Sequence, residues 1–330
     1  MADTSAWAVN LFDHVVKSVE NTHKRLVFIG DAMWDHWVHG RVEDCQEGCP
    51  KFTMSAESDH VVPGGVANAV QCLVDWVVDV DMFTYPVEMW PDKFRMVGPG
   101  GRIVFRMDEE GGLAMQEWLH SGHRRDSSMA LRAAHRADAV LLSDYDKGYL
   151  TPELIRRIVD QCREDGIPCV VDAKREPSIY RGAILKCNEH YNAQYAEVLE
   201  FTKLVVTRGA AIPVVWDRYL YGLLSSELSP VECVNHVGAG DCFAAHLTLA
   251  LACGLTLEGA AAIAHSAGRV YVQRPHNRAP TRGEVRADLA GAIRPQEGPL
   301  PAPRRRPAQE PGGPPQDAAA GLPEATTGRP

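Results

Sequence analysis

No stretch of eighteen or more uninterrupted apolar residues occurs in this 330-residue chain, so a membrane-spanning helix is not expected. The opening segment, MADTSAWAVNLFDHVVKSVENTHKR, lacks the continuous apolar centre of a secretory signal and mixes acids with bases. An excess of positive charge is missing too: 34 Lys and Arg stand against 43 Asp and Glu, a formal net charge of −9. With no basic stripe along the chain, a nucleic-acid binder that works by neutralising phosphates is excluded as an expectation, whereas a local positive site for a nucleotide or sugar phosphate is not. Cysteines in a paired framework are also lacking. There are nine, an odd number, scattered from Cys45 to Cys253, as expected of reduced thiols in a cytoplasm. Cys45 and Cys49 find no matching Cys/His pair at zinc-site spacing, so no zinc site is expected there. No internal repeat of fixed period is present.

What the chain does have is enough apolar content, 45%, to bury one large core or two small ones. Arg25 to Asp35 (RLVFIGDAMWD) is a short apolar run stopped by Gly-Asp, the pattern of a buried parallel strand that opens into a site. The pattern returns at Asp138 to Gly148, Gly166 to Glu176 and Thr202 to Ala210. Between them, Thr151 to Gly166 reads as a helix with a Thr cap, Pro at its first position and Gly at its end. Alternating strands and helices predict a mainly parallel sheet covered on both faces, with ligands beyond the carboxyl ends of the strands, where Asp31, Asp144, Asp172 and Arg208 fall.

Leu11, Val15, Val16 and Val19 recur at helical spacing and predict an amphipathic first helix. Phe94 to Glu110 (FRMVGPGGRIVFRMDEE) predicts a β-hairpin about a Pro-Gly-Gly turn, which with strand-like residues up to Val62 forms a small covering sheet; the lid strands are placed at about 36–62 and 94–108. Residues 1–293 are expected to form one domain, and 294–330, rich in proline and poor in large apolar residues, a disordered tail.

Val234 to Gly254 (VNHVGAGDCFAAHLTLALACG) carries the chemistry. A run apolar almost all round begins at Cys242, so a helix starts near Gly238 to Cys242. Backbone N–H groups without partners and a partial positive charge collect there, and the small residues Gly238, Ala239 and Gly240 let an anion reach them. Asp241 would repel that anion, which makes sense if its carboxylate takes a proton from an attacking hydroxyl while the amides hold charge on a transferred phosphoryl group. The plain alternative for these four residues is an Asp cap after a flexible turn.

Taken with Pro63 to Val70 (PGGVANAV), this stretch resembles the two signatures of the PfkB/ribokinase family of carbohydrate kinases. GDAMWDHWVHG, LLSDYDKGYL, VVDAKRE, YRGAILKCN and VTRG follow that family's order, and the likeness, greatest to its heptose-7-phosphate kinases, covers about Arg25 to Glu284. The resemblance implies a ribokinase-like three-layer sandwich with a mainly parallel central sheet and a small β lid. It implies a cytoplasmic enzyme that uses ATP and Mg2+ to phosphorylate a hydroxyl of a sugar or sugar phosphate, with no nucleic-acid or membrane partner and with the lid as a homodimer contact. By resemblance Asp241 is the base and Gly238, Ala239 and Gly240 the anion hole. Asp31, Asp35, Gly64, Gly65 and Asn68 line the sugar site. Lys174, Asn188 and Glu189 lie near phosphate and metal, with no direct protein ligand to the metal, while Thr207, Gly209 and His265 border the nucleotide.

The chain also departs from the family. Val77 to Pro86 passes almost directly to the hairpin, so one helix-strand unit is expected to be missing. The family's N-x-x-E becomes Asn188-Glu189-His190-Tyr191, and Asn235 and Val237 replace the usual Asp and Thr before GAGD. A nucleotidyltransferase H-x-G-H motif is absent after Glu284. These departures keep a second reading open, a pseudokinase that binds sugar or nucleotide without catalysis.

Overall fold

Apolar runs at 26–29, 139–142, 169–171 and 204–206 are each too short for a helix and have neither polar alternation nor proline, so they form strands buried on both faces. In the computed structural model, which describes residues 4–44, 48–121, 123–189, 203–209, 211–217, 220–223 and 231–292, they stand side by side in one sheet. The described residues fall within a compact unit, Met1–Leu300. The tail expected over 294–330 lies outside them.

The strands are β1 (Arg25–Gly30), β4 (Asp79–Phe83), β7 (Ala139–Ser143), β8 (Cys169–Asp172), β9 (Ile184–Asn188), β10 (Lys203–Arg208), β11 (Ala211–Asp217) and β12 (Leu220–Leu223). Their order is β12-β11-β10-β9-β8-β7-β1-β4. From β10 to β4 every pair is parallel, and β11 and β12 close one edge antiparallel.

Strand side chains alternate between two helix layers. Leu26, Phe28, Leu141, Val170 and Val205 pack with the first helix, α1 (Thr4–Thr22), and with α2 (Val66–Gln71) and three later helices, α6 (Ala239–Ala252), α7 (Leu257–Val272) and α8 (Arg282–Ala292). Val27, Ile29, Val140, Leu142, Val171 and Leu185 face the opposite way, onto α4 (His123–Ala134) and α5 (Pro152–Asp165); α3 (Leu113–Ser121) precedes these two. Of the stripe expected in α1, Val15 and Val19 are buried and Leu11 and Val16 are part-buried against the core, with Phe12, not anticipated, buried beside them. The ends of α5 are those read from sequence, with Leu154 N donating to Thr151 Oγ1 and Gly166 in the left-handed region.

A second, four-stranded sheet is the lid. It contains β2 (Ala32–Asp44), β3 (Pro50–Gly65), β5 (Asp92–Val97) and β6 (Ile103–Asp108), in the order β3-β2-β5-β6. The hairpin about Pro99–Gly101 is β5–β6, and the lid begins earlier than expected because β2 starts immediately after Asp31. Asp31 and Asp35 therefore do not cap a helix. Between β4 and β5 there is only a short turn at Val87–Met89, so the helix-strand unit expected to be missing is missing here and β4 becomes the edge of the large sheet.

Candidate active site

Parallel strands deliver their last residues to one end of the sheet, which brings Asp31, Asp144, Asp172 and Asn188 to a common edge. The helix α6 starts opposite that edge. Its N-cap, Gly238, has φ +81°, and a Cβ there would lie 2.3 Å from Tyr271 Oη and 2.5 Å from Asn68 Nδ2. Two residues on, a Cβ at Gly240 would lie 2.8 Å from Lys186 Nζ. The glycines thus let Tyr271, Asn68 and Lys186 approach the start of α6 where a Cβ would collide with them.

Asp241, in the first turn of α6, is 3% exposed. Asn68 Nδ2 donates to its Oδ2 at 3.0 Å, and Tyr145 Oη donates to its Oδ1 at 2.7 Å. Burial, reinforced by the negative charge of Asp172, pushes the carboxyl up to about 6 against the pull of those two donors and of Lys174. A carboxylate with that affinity, held by two donors, is suited to accept a proton near neutral pH.

Lys186 on β9 is buried and donates to Asp172 Oδ1 at 3.0 Å; Lys174, just past β8, donates to the same oxygen at 3.4 Å. Burial alone would raise Asp172, but the two ammonium groups outweigh it and hold the carboxyl below its usual range. Asp172 Oδ2 is buried and has no hydrogen-bond partner among the described residues, and it lies 3.8 Å from where a Gly240 Cβ would be. Lys93 and Lys174 both sit over the Tyr145 ring, at 5.1 and 5.2 Å. Three cationic side chains thus surround the approach to Asp241.

On the lid side, Arg95 donates to Asp35 Oδ1 at 2.5 Å and Asn277 donates to Asp35 Oδ2 at 3.2 Å. Asn277 accepts in turn from Asn235 Nδ2 at 3.1 Å, while Asn235 Oδ1 accepts from Val237 N at 2.9 Å. Asn235, at a position where an acid was expected, therefore supports the loop before Gly238 and couples it to the lid. Gly64 and Gly65 pair with Met33 and Ala32 where β3 returns past Asp35, and Val66 N donates to the Asp31 carbonyl at 3.0 Å.

The other anticipated residues distribute unevenly. The Asp31 carboxylate is fully buried and accepts from the backbone N–H groups of Tyr145, Lys147 and Tyr149. It braces the loop that presents Tyr145, and burial raises it to about 6. Asn68 is fully buried, with its amide turned to Asp241 and the Gly238 carbonyl. Asn188 ends β9 with Glu189 exposed beside it, while His190 and Tyr191 lie outside the described residues. Thr207 donates to the Cys187 carbonyl at 3.2 Å, and Gly209 follows β10 with φ +58°. His265 is buried in α7, its Nε2 without a partner among the described residues; burial, then Arg269, lowers it to about 4, so the ring is neutral.

Sequence reading placed Asp172 at the ligand end of the sheet but singled out none of Lys186, Tyr145, Arg95 or Asn277. Lys186 had a usable signal, since a lysine inside the apolar run AILKC must be buried and therefore paired. A cavity of about 1040 Å³ opens at the far end of the sheet, beside Cys169, Ile184 and Lys203 at the starts of β8, β9 and β10. Despite its volume it is remote from this cluster, and the paired charges, not the void, mark the site.

Comparison with known proteins agrees with the motifs. The model of the pfkB family carbohydrate kinases matches residues 183–282. The bifunctional protein HldE of Granulibacter bethesdensis is 27% identical and that of Gluconobacter oxydans 29%, each match covering 80% of this chain and 64% of the relative. The chain thus spans less than two thirds of the length of these curated relatives. Among solved structures, Arabidopsis thaliana ribokinase complexed with ribose and ATP gives a TM-score of 0.58 at 15% identity over 81% of this chain and 99% of that one. Phosphofructokinase-2 of Escherichia coli gives 0.60 at 16% over 82% and 99%. The fold is ribokinase-like, and the resemblance to PfkB carbohydrate kinases read from the motifs is borne out.

Proposed function

Given this likeness to the PfkB carbohydrate kinases, we propose that the chain transfers the terminal phosphoryl group of ATP to a hydroxyl of a sugar or sugar phosphate, with a heptose 7-phosphate as the favoured acceptor. The observation that carries the reading is Asp241: a buried carboxylate raised to about 6 in the first turn of a helix whose N-cap, Gly238, has no side chain to cover the helix start. The acceptor hydroxyl gives its proton to Asp241 as its oxygen bonds to the γ-phosphorus, and the bond from that phosphorus to the bridging oxygen breaks to release ADP. The amides of Gly238, Ala239 and Gly240, with Lys186 and Lys174, stabilise the charge on the transferring group. Asp35, Gly64 and Gly65 border the sugar, with Asp35 fixed by Arg95 and Asn277 to accept from hydroxyls. The heptose preference rests on the likeness to HldE proteins.

The residues fit magnesium as a partner of the nucleotide. Asp172 Oδ2 is a buried acceptor without a donor among the described residues, the kind of oxygen that receives a metal-bound water, and Asn188 and Glu189 add oxygens at the end of β9. Bound there, the ion would neutralise phosphate charge. Thr207, Gly209 and His265 are proposed to border the nucleotide, and the protein to work in the cytoplasm.

The test is ADP release on mixing the full chain with magnesium ATP and a panel of sugars and sugar phosphates. Turnover is expected with a phosphorylated heptose above simple hexoses. The second reading, a pseudokinase, draws on Tyr191 in place of an acid; it predicts that the same ligands raise the melting temperature with no turnover of any of them.

A further inference from the structure

We propose that His39, His60 and His276 form a binding site for a zinc-class divalent transition ion that clamps the lid to the loop following α7. His39 and His60 reach it from the β2–β3 ladder. Trp37 stands opposite His60 in that ladder, His39 lies at the register shift between Val38 and Gly40, and the His39 and His60 rings meet edge to face at 5.8 Å. His36 is taken up by Asp59 and Asp92. His276 arrives from Pro275–Arg278, where it and Asn277 are consecutive non-glycine residues with φ of +51° and +54°, a conformation kept only when the surroundings demand it.

One nitrogen from each imidazole lies within 4.8 Å of the others. His39 Nε2 and His276 Nε2 are 3.1 Å apart, and the His60 and His276 rings stack at 4.2 Å. Zinc–nitrogen bonds of about 2.0–2.1 Å in a tetrahedron put donors roughly 3.4 Å apart, so small ring rotations bring the three into place and leave the fourth position for water. Without an ion, His39 and His276 share a single N–H···N hydrogen bond; a metal would instead take a lone pair from each of the three rings. An all-imidazole set selects zinc, cobalt, nickel or copper and disfavours magnesium and calcium, which seek oxygen. The consequence is positional: Asn277, next to His276, is the donor that holds Asp35 from the body side.

The full chain, freed of metal with a chelator, is titrated with Zn2+ by calorimetry and with Co2+ by absorption spectroscopy. The expected result is one ion per chain, an intense four-coordinate Co2+ spectrum, and a rise in melting temperature with excess Zn2+. His39→Gln and His60→Gln should each weaken binding by about a hundredfold or more, since removing even an outer-shell partner costs about 10–100-fold. Their metal-free melting temperatures should stay near that of the native apoprotein, which separates ligand loss from misfolding. Cys49→Ser, which alters an exposed thiol, should bind as the native chain does. Six-coordinate Co2+, unchanged binding in both histidine variants, or loss of the ion in Cys49→Ser would each overturn the assignment. None of these readouts depends on phosphotransfer, so the site stands or falls separately from the proposed activity.

Discussion

At the scale of single residues, one carboxylate ties the proposed chemistry to stability. Asp241 is raised to about 6 chiefly by burial, above the 3.8 of an unburied aspartate. A group raised in the folded state contributes stability that is full below its unfolded value and lost as pH climbs through its folded one. Native protein should therefore lose stability relative to Asp241→Asn between about pH 4 and 7, by up to about 3 kcal/mol for a shift near two units. Asp31, shifted in the same direction, is present in both proteins and cancels. Urea melts of the two proteins across that range check the sign, and a constant difference would mean that Asp241 is not strained by burial. Asp241 was legible because it sits inside a contiguous motif. Asn68, 173 positions away from it, was legible as a motif residue but not as the amide that grips the carboxylate, because spacing along a chain does not reveal pairing across a fold. The same holds for Lys186 with Asp172, and for His276 with the two lid histidines.

Among elements, the decisive one is α6. Its apolar run announced a buried helix and its glycines announced the start, so this element was readable down to the cap. Gly238 and Gly254 bracket it at φ +81° and +80°, yet they differ in what surrounds them. A Cβ at Gly254 meets nothing within 4 Å, whereas one at Gly238 collides with Tyr271 Oη at 2.3 Å. Gly254→Ala should cost only the left-handed backbone penalty of roughly 1–2 kcal/mol. Gly238→Ala should cost clearly more and should also displace Asn68 and the proposed anion site. Thermal melts paired with phosphotransfer rates distinguish them: equal losses of stability would show that the crowding around Gly238 relaxes freely. The lid was less readable. Its hairpin at Pro99–Gly101 was marked by turn residues, but the strand beginning at Ala32 was hidden because Gly-Asp looks like a loop in sequence, and only pairing with β3 and β5 makes it extended.

For the whole molecule, the sequence carried the layered α/β plan, since strand runs and amphipathic helices alternate with short connections. It also carried the loss of one helix-strand unit, visible as a connection too short to hold it. Association was less determined, being a property of the surface. The outer lid strand β6 exposes Phe105 at 60%, Val104 at 45% and Met107 at 46%, more apolar area than one strand of a monomer usually shows to water. A second copy covering this strand is the expected partner, and Phe105→Asp should shift sedimentation from dimer to monomer while the monomer keeps its fold. A native chain that sediments as a monomer at all accessible concentrations would refute the lid contact.

The central claim, that this chain is a sugar kinase with Asp241 as its base, is tested most directly by comparing native protein and Asp241→Asn in phosphate transfer and in acceptor binding on the same preparations. The account predicts that kcat falls about a hundredfold or more in the variant while the sugar phosphate binds with similar affinity by calorimetry, because the amide keeps the shape and loses only the capacity to take the proton. A variant that turns over as fast as the native protein would reduce Asp241 to a helix cap and contradict the mechanism.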